Sequence, residues 1–128
     1  MNIKPTDSEL EIMQVLWENG PLTVREVNET LNRTRRVGYT TTLKMMQIMT
    51  EKGMLSRDTS MRSHIYAPTV KPEEVRSGIL DHIIRTVFQG STSNLVLQAL
   101  GNSGVSREEM EEIRELIEKL ENQQDGTL

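Results

Sequence analysis

Thr6 is followed three residues later by Glu9, and Thr23 by Glu26, and each pair leads into an apolar stripe. In such a capping box the hydroxyl accepts the backbone N–H of the third helical residue while the carboxylate accepts that of the cap itself, which fixes where a helix begins. Between the two stripes Asn19-Gly20-Pro21 interrupts the chain: glycine admits the backbone angles that end a helix, and proline lacks the N–H that would continue one. Two short helices joined by a tight corner are therefore predicted, over residues 7–18 and 23–32. Leu10, Met13, Leu16 and Trp17 form the buried side of the first, and Val24, Val27 and Leu31 that of the second.

A third helix is predicted over residues 40–52, with Thr42, Met46 and Met49 on its buried side and Gly53 placed to close it. Met45 is open to either a neighbouring element or an outside partner. Two extended runs, 54–59 and 64–67, can pair as a hairpin across Ser60-Met61-Arg62-Ser63, although that turn lacks the Asn-Gly or Asp-Gly signature of a tight hairpin. Three helices and a two-stranded ribbon make a winged helix-turn-helix, in which the third helix enters the major groove of DNA.

Charge supports that reading. The chain is acidic overall, at net −4, yet residues 33–64 hold seven basic and two acidic side chains, whereas residues 1–32 hold two and six and residues 72–128 hold five and eleven. A local basic surface on an acidic protein points to a polyanionic partner. Arg33, Arg35 and Arg36 precede the third helix, and Arg57 and Arg62 lie on the ribbon, where they can neutralise phosphates on either side of a groove. Thr40, Thr41 and Lys44 occupy the first turns of the helix, where threonine can bond a base or touch a thymine methyl and lysine can address guanine. Helix capping is the alternative role for Thr40.

From residue 72 the composition turns acidic and helical. Pro72 suits a first helical position, and Val75, Ile79, Ile83 and Val87 follow at near-helical spacing, predicting a fourth helix over 72–89. Gly90-Ser91-Thr92-Ser93 breaks it, Leu95 and Leu97 sit in a short apolar fifth helix over 94–100, and Ser106 with Glu109 caps a sixth. The sixth carries Met110, Ile113, Ile117 and Leu120 at alternating steps of three and four, a seam that needs a partner. Packing of these helices on the first domain is the alternative, but three short helices with this much aliphatic surface can hardly bury it alone and two copies can, so residues 72–128 are expected to form a helical dimerisation domain behind a DNA-binding domain of residues 1–71. The tail from Glu121 is expected to fray.

Several classes of chemistry are excluded. Without cysteine there is no disulfide, thiolate metal site or cysteine nucleophile, and His64 and His82 stand too far apart in pattern to mark a metal site. No Gly-rich phosphate loop or catalytic motif is present, so neither enzymatic activity nor a cofactor is expected. No signal core or membrane-length apolar run occurs, so a cytoplasmic protein with no membrane partner is expected.

The stretches SELEIMQVLWENGPLTVREV, GYTTTLKMMQIMTEKGML and RSHIYAP, followed in order by LVLQAL and EEIRELIEKL, resemble the penicillinase-repressor family of BlaI and MecI type over nearly the whole chain. The resemblance implies a dimeric transcriptional repressor of a double-stranded DNA operator, mainly α-helical, with Tyr39, Thr40, Thr41, Lys44 and Arg62 in the DNA-contacting part. Many members carry a basic residue where Ile48 stands. The resemblance also implies release from DNA by a regulatory protease that cuts between Asn and Phe after a Leu-Val-Leu-like run; here Leu95-Val96-Leu97 is followed by Gln98-Ala99, a pair such a protease is expected to cut poorly. Two other readings stay open: a small-molecule sensor with its ligand in the C-terminal helices, and a winged-helix interaction module without a DNA target.

Overall fold

The structure, a computed structural model, describes residues 4–102 and 104–126. Within them the elements run α1 (Asp7–Asn19), α2 (Val24–Leu31), α3 (Tyr39–Glu51), β1 (Leu55–Asp58), β2 (Ile65–Pro68), α4 (Pro72–Thr86), α5 (Thr92–Asn102) and α6 (Arg107–Gly126). The chain divides into two compact units, Met1–His82 and Ile83–Leu128. The first is a winged helix-turn-helix, and the second consists of helices.

Both capping boxes form. Glu9 N–H donates to Thr6 Oγ1 at 3.2 Å while Thr6 N–H donates to Glu9 Oε1 at 2.9 Å, and Thr23 and Glu26 repeat the exchange at 3.2 and 3.0 Å. Gly20 ends α1 at φ 83°, in the left-handed region that side chains avoid, and its N–H closes on Leu16 O. The corner after it is pinned to the ribbon: Leu22 N–H donates to Tyr66 O at 3.1 Å and Tyr66 N–H to Leu22 O at 2.8 Å. β1 and β2 pair antiparallel in the register Leu55 to Pro68, Ser56 to Ala67, Arg57 to Tyr66 and Asp58 to Ile65. β1 is thus shorter than predicted, by Met54 and Thr59, and β2 starts and ends one residue later than expected.

The core of the first unit gathers Ile12, Met13 and Leu16 of α1, Val24, Val27 and Leu31 of α2, Met46 and Met49 of α3, and Met54, Leu55, Tyr66 and Val75. The buried face of α1 is rotated from the predicted stripe. Ile12 is inside, whereas Leu10 and Trp17 lie at its margin, and Trp17 Nε1 donates to Val70 O at 3.0 Å, the bond that lets a tryptophan sit half in water. Met45 packs against this core, and so does Ile79, expected from the sequence among the dimerising residues: Val75 and Ile79 both close the first unit.

One charged group is buried with them. Glu9 Oε2 accepts from Lys52 Nζ at 2.9 Å, tying the start of α1 to the residue that caps the end of α3. Burial by itself would raise the Glu9 carboxyl; the Thr6 N–H, the Lys52 hydrogen bond and the lysine's charge outweigh it and hold the pKa below its ordinary value.

In the second unit α5 and α6 bury none of their described side chains. Ser91 Oγ accepts from Asn94 N–H and Ser106 Oγ from Glu109 N–H, each at 3.1 Å, so the two helices start at hydroxyl caps. α4 ends three residues before the predicted stop, because Gln89 and Gly90 turn left-handed at φ 51° and 86° and Gly90 N–H closes on Ile84 O. α6 runs through Gly126, so most of the tail expected to fray is helical; Thr127 and Leu128 lie outside the described residues. No helix among the described residues is long and apolar enough to cross a membrane, and no group of three or more His, Cys, Asp or Glu among them could hold a metal ion.

Candidate nucleic-acid interface

The loop between α2 and α3 is a built turn. Asn32 Nδ2 donates to Val37 O at 2.8 Å and its Oδ1 accepts from Val37 N–H at 3.1 Å, so one side chain holds both backbone polar groups of residue 37. Asn28 Nδ2 donates to the same carbonyl at 3.1 Å and to Thr42 Oγ1 at 2.8 Å, and Thr42 is fully buried. Two asparagines four residues apart, Asn28 on α2 and Asn32 at its C-cap, therefore set where α3 begins. Neither was singled out from the sequence, where their spacing near the end of an amphipathic helix was the available signal.

α3 opens at Gly38, which has no side-chain cap, and Thr40 lies inside the helix. The capping role open to Thr40 from its sequence falls away. With Thr42, Met46 and Met49 turned inward, the opposite face presents Thr40, Thr41, Lys44, Gln47, Ile48 and Glu51 to solvent. Gln47 joins the face without having been expected there; it is a residue type that can bond adenine bidentately. Tyr39, half exposed, borders a cavity of about 300 Å³ between the start of α2, the start of α3 and the ribbon, whose lining includes Thr23, Arg25, Arg62, His64 and Tyr66.

The seven basic residues of 33–64 divide into two sets. Lys52 is held by Glu9, and Arg35 is held by Glu11 of α1 through Nη2 to Oε1 at 2.7 Å and Nε to Oε2 at 3.2 Å. The guanidinium hydrogen bond and charge keep the Glu11 carboxyl below its ordinary pKa, and Glu11 raises that of Arg35 in return. Arg35 was expected to face phosphates with its neighbours; it is turned back onto the fold instead, in a fork-shaped pair still 47% and 40% exposed and therefore screened by water. Arg33, Arg36, Lys44, Arg57 and Arg62 are exposed and make no ion pair or side-chain hydrogen bond among the described residues. Arg57 sits across the ribbon from Tyr66. Asp58 accepts Ser60 N–H at 2.9 Å; the hydrogen bonds from Ser60, with a smaller contribution from His64, keep its carboxyl below the ordinary range. This Asx-type turn orders the wing where no Asn-Gly was found.

In the second unit the side chains expected to dimerise are uncovered within one chain. Leu97 is 72% and Leu120 61% exposed; Val87 and Ile117 are exposed as well, and Ile83, Leu95, Met110 and Ile113 are only partly covered. Leu80 of the first unit and Val96 and Leu116 of the second add exposed apolar surface that was not anticipated. Gln98 and Ala99 lie inside α5, so the altered pair is held in helical rather than extended backbone.

The family model described as penicillinase repressor matches residues 5–119. The penicillinase repressor of Bacillus licheniformis is 26% identical over 117 residues, which cover 91% of this chain and 91% of that protein. The transcriptional regulator BlaI of Mycobacterium tuberculosis is 28% identical over 117 residues, covering 90% of this chain and 83% of its own. Among solved structures, the monomeric form of Bacillus licheniformis BlaI in complex with the blaP half-operator is similar at a TM-score of 0.50 and 26% identity, over 58% of this chain and 90% of that one.

Proposed function

The chain belongs to the penicillinase repressor family, and from that premise we propose that it is a transcriptional repressor which binds a pseudo-palindromic DNA operator as a homodimer. The observation that carries this reading is the set of five uncommitted cations, Arg33, Arg36, Lys44, Arg57 and Arg62, on the loop, helix and wing of an otherwise acidic protein. Loop and wing arginines neutralise phosphates and release counterions, so they position the protein without reading sequence. α3 lies in the major groove, with Thr40, Thr41 and Lys44 toward the base edges and Tyr39 at its entrance. Arg35 contributes less than its neighbours, because Glu11 already holds it.

Residues 72–128 supply the dimer contact, with Val75 and Ile79 committed to the first unit and the exposed aliphatic side chains from Ile83 onward meeting those of a second copy. Two recognition helices then share one operator, and the second half-site is engaged at the high effective concentration that linkage provides. Whatever signal weakens the dimer releases the repressor, and cutting within α5 is one such route, since it parts α6 from the DNA-binding unit. Selection of bound fragments from the source genome, followed by titration at several salt concentrations, tests the function. The expected result is a recurring palindrome with half-site centres a whole number of helical turns apart and an affinity that falls steeply with salt. Failure to retain any DNA at low salt would overturn it.

A further inference from the structure

Ile48 is the one aliphatic side chain of α3 with no place in the fold. Leu43, Met45, Met46 and Met49 all belong to the core or pack against it, whereas Ile48 is 38% exposed and belongs to neither set. Its direction is set by helical geometry. At about 100° per residue, positions seven apart return to within about 20° of one another, so Ile48 stands on the same strip of α3 as Thr41, with Lys44 beside them. An aliphatic group on the face that carries the polar base-reading candidates is unlike the remainder of that surface, where loop and wing offer cations.

In the major groove the one apolar group that a base pair presents is the C5-methyl of thymine. A branched aliphatic side chain gains from covering that methyl and has nothing to offer the hydrogen-bonding edges of guanine, adenine or cytosine. We propose that Ile48 is a specificity-determining residue which reads the C5-methyl of one thymine in each half-site, next to the base addressed by Lys44. This rests on the reading of α3 as the helix in the groove. It adds a selection for A·T at a position that neither the arginines nor the threonines define, and it makes the repressor sensitive to the loss of a single methyl group.

Replacing thymine by deoxyuridine removes that methyl and leaves every hydrogen-bonding edge unchanged, so the test is a thymine-by-thymine deoxyuridine scan of a selected operator, read by titration with the full-length protein and with Ile48→Ala. One thymine in each half-site should cost the unaltered protein roughly fourfold in affinity, the factor that burial of a single methyl group corresponds to. Ile48→Ala should bind the normal operator more weakly by a similar factor and show no further loss at that thymine, while still responding to salt as the parent does. Ile48 is exposed and alanine is the better helix former, so the variant keeps the fold, which circular dichroism checks. Tight binding with no deoxyuridine-sensitive thymine overturns the proposal and leaves the repressor reading standing, and so does an equal deoxyuridine penalty in both proteins. Recovery of no bound DNA at all overturns both.

Discussion

Replacing Asn28 with alanine tests whether α3 is held by a polar contact or by packing alone. The side chain donates to Val37 O at 3.1 Å and to Thr42 Oγ1 at 2.8 Å. After Asn28→Ala the Val37 carbonyl keeps Asn32, but the fully buried Thr42 hydroxyl loses its donor and retains only its own long bond to Gly38 O at 3.4 Å. Leaving a buried acceptor unpaired costs about 1–3 kcal/mol, and a second hydrogen bond is lost with it, so a destabilisation of about 2–3 kcal/mol is expected. For a unit of this size each kcal/mol lowers the melting temperature by roughly 4–8 °C. Thr42→Val keeps the shape and removes the hydroxyl, at a cost of about 1–2 kcal/mol. If the two side chains act through each other, the double variant should lose less than the sum of the singles, with a coupling of about 1 kcal/mol. Urea unfolding followed by fluorescence measures all three, because Trp17 is the one tryptophan and lies in α1 of the same unit. Strictly additive losses, or an Asn28→Ala midpoint within error of the parent, would refute the reasoning.

The Glu9 carboxyl is held below its unfolded value, so its contribution is full above the ordinary carboxylate range and disappears as pH falls through the folded pKa; Glu9→Gln should flatten the fall in stability below about pH 5, and an unchanged slope would remove Glu9 as its source. Arg36→Ala and Arg62→Ala should weaken binding to every sequence and shallow the salt dependence by about one unit, with Arg35→Ala doing less. Lys44→Ala or Thr41→Ala should cut discrimination between operator and random DNA by roughly 1–3 kcal/mol, and an unaltered ratio for Lys44→Ala would end its role as a base reader. Paired Ile117→Asp and Leu120→Asp changes should give a monomer by sedimentation with the first unit still folded by Trp17 fluorescence; persistence of a dimer would displace the seam. A protease of the type that acts on family members should leave the Gln98–Ala99 bond intact, and a fragment ending at Gln98 in mass analysis would show that the altered pair is still read.

What could be read from the sequence was what is encoded within a few residues. Thr6 with Glu9 and Thr23 with Glu26 specify helix starts by contacts three positions apart, and the burial of Met46 and Met49 follows from one helical period. Contacts between distant segments were not legible. Arg35 looked like its neighbours until Glu11, 24 residues earlier, was found beside it. The corner at Leu22 carries no strand pattern, because its pairing with Tyr66 is a single bridge. Ile79 fits the spacing of a dimer seam and of a core residue equally well; only the position of α4 against the first unit's core decides between them. Ile12 displaced Trp17 from the centre of α1's buried face for a related reason, since a tryptophan with its N–H bonded to Val70 O is better placed at a margin than an isoleucine would be.

The two units meet the cost of ordering a chain in different ways, and this bears on regulation. The first has a continuous core, and among the described residues no buried side-chain nitrogen or oxygen lacks a hydrogen-bond partner. It presents α3 and the wing already shaped, so little conformational entropy remains to be lost on the DNA. In the second, α5 and α6 bury none of their described side chains, and the proposed second copy would supply the burial that holds their geometry. In the proposed homodimer, association would therefore couple to the order of α5 and α6 as much as to their contact, and both would depend on protein concentration. A signal that acts on these helices needs no route to the recognition helix. By removing the proposed second copy it would take away one half-site and leave each preformed unit with the affinity of a single half-operator.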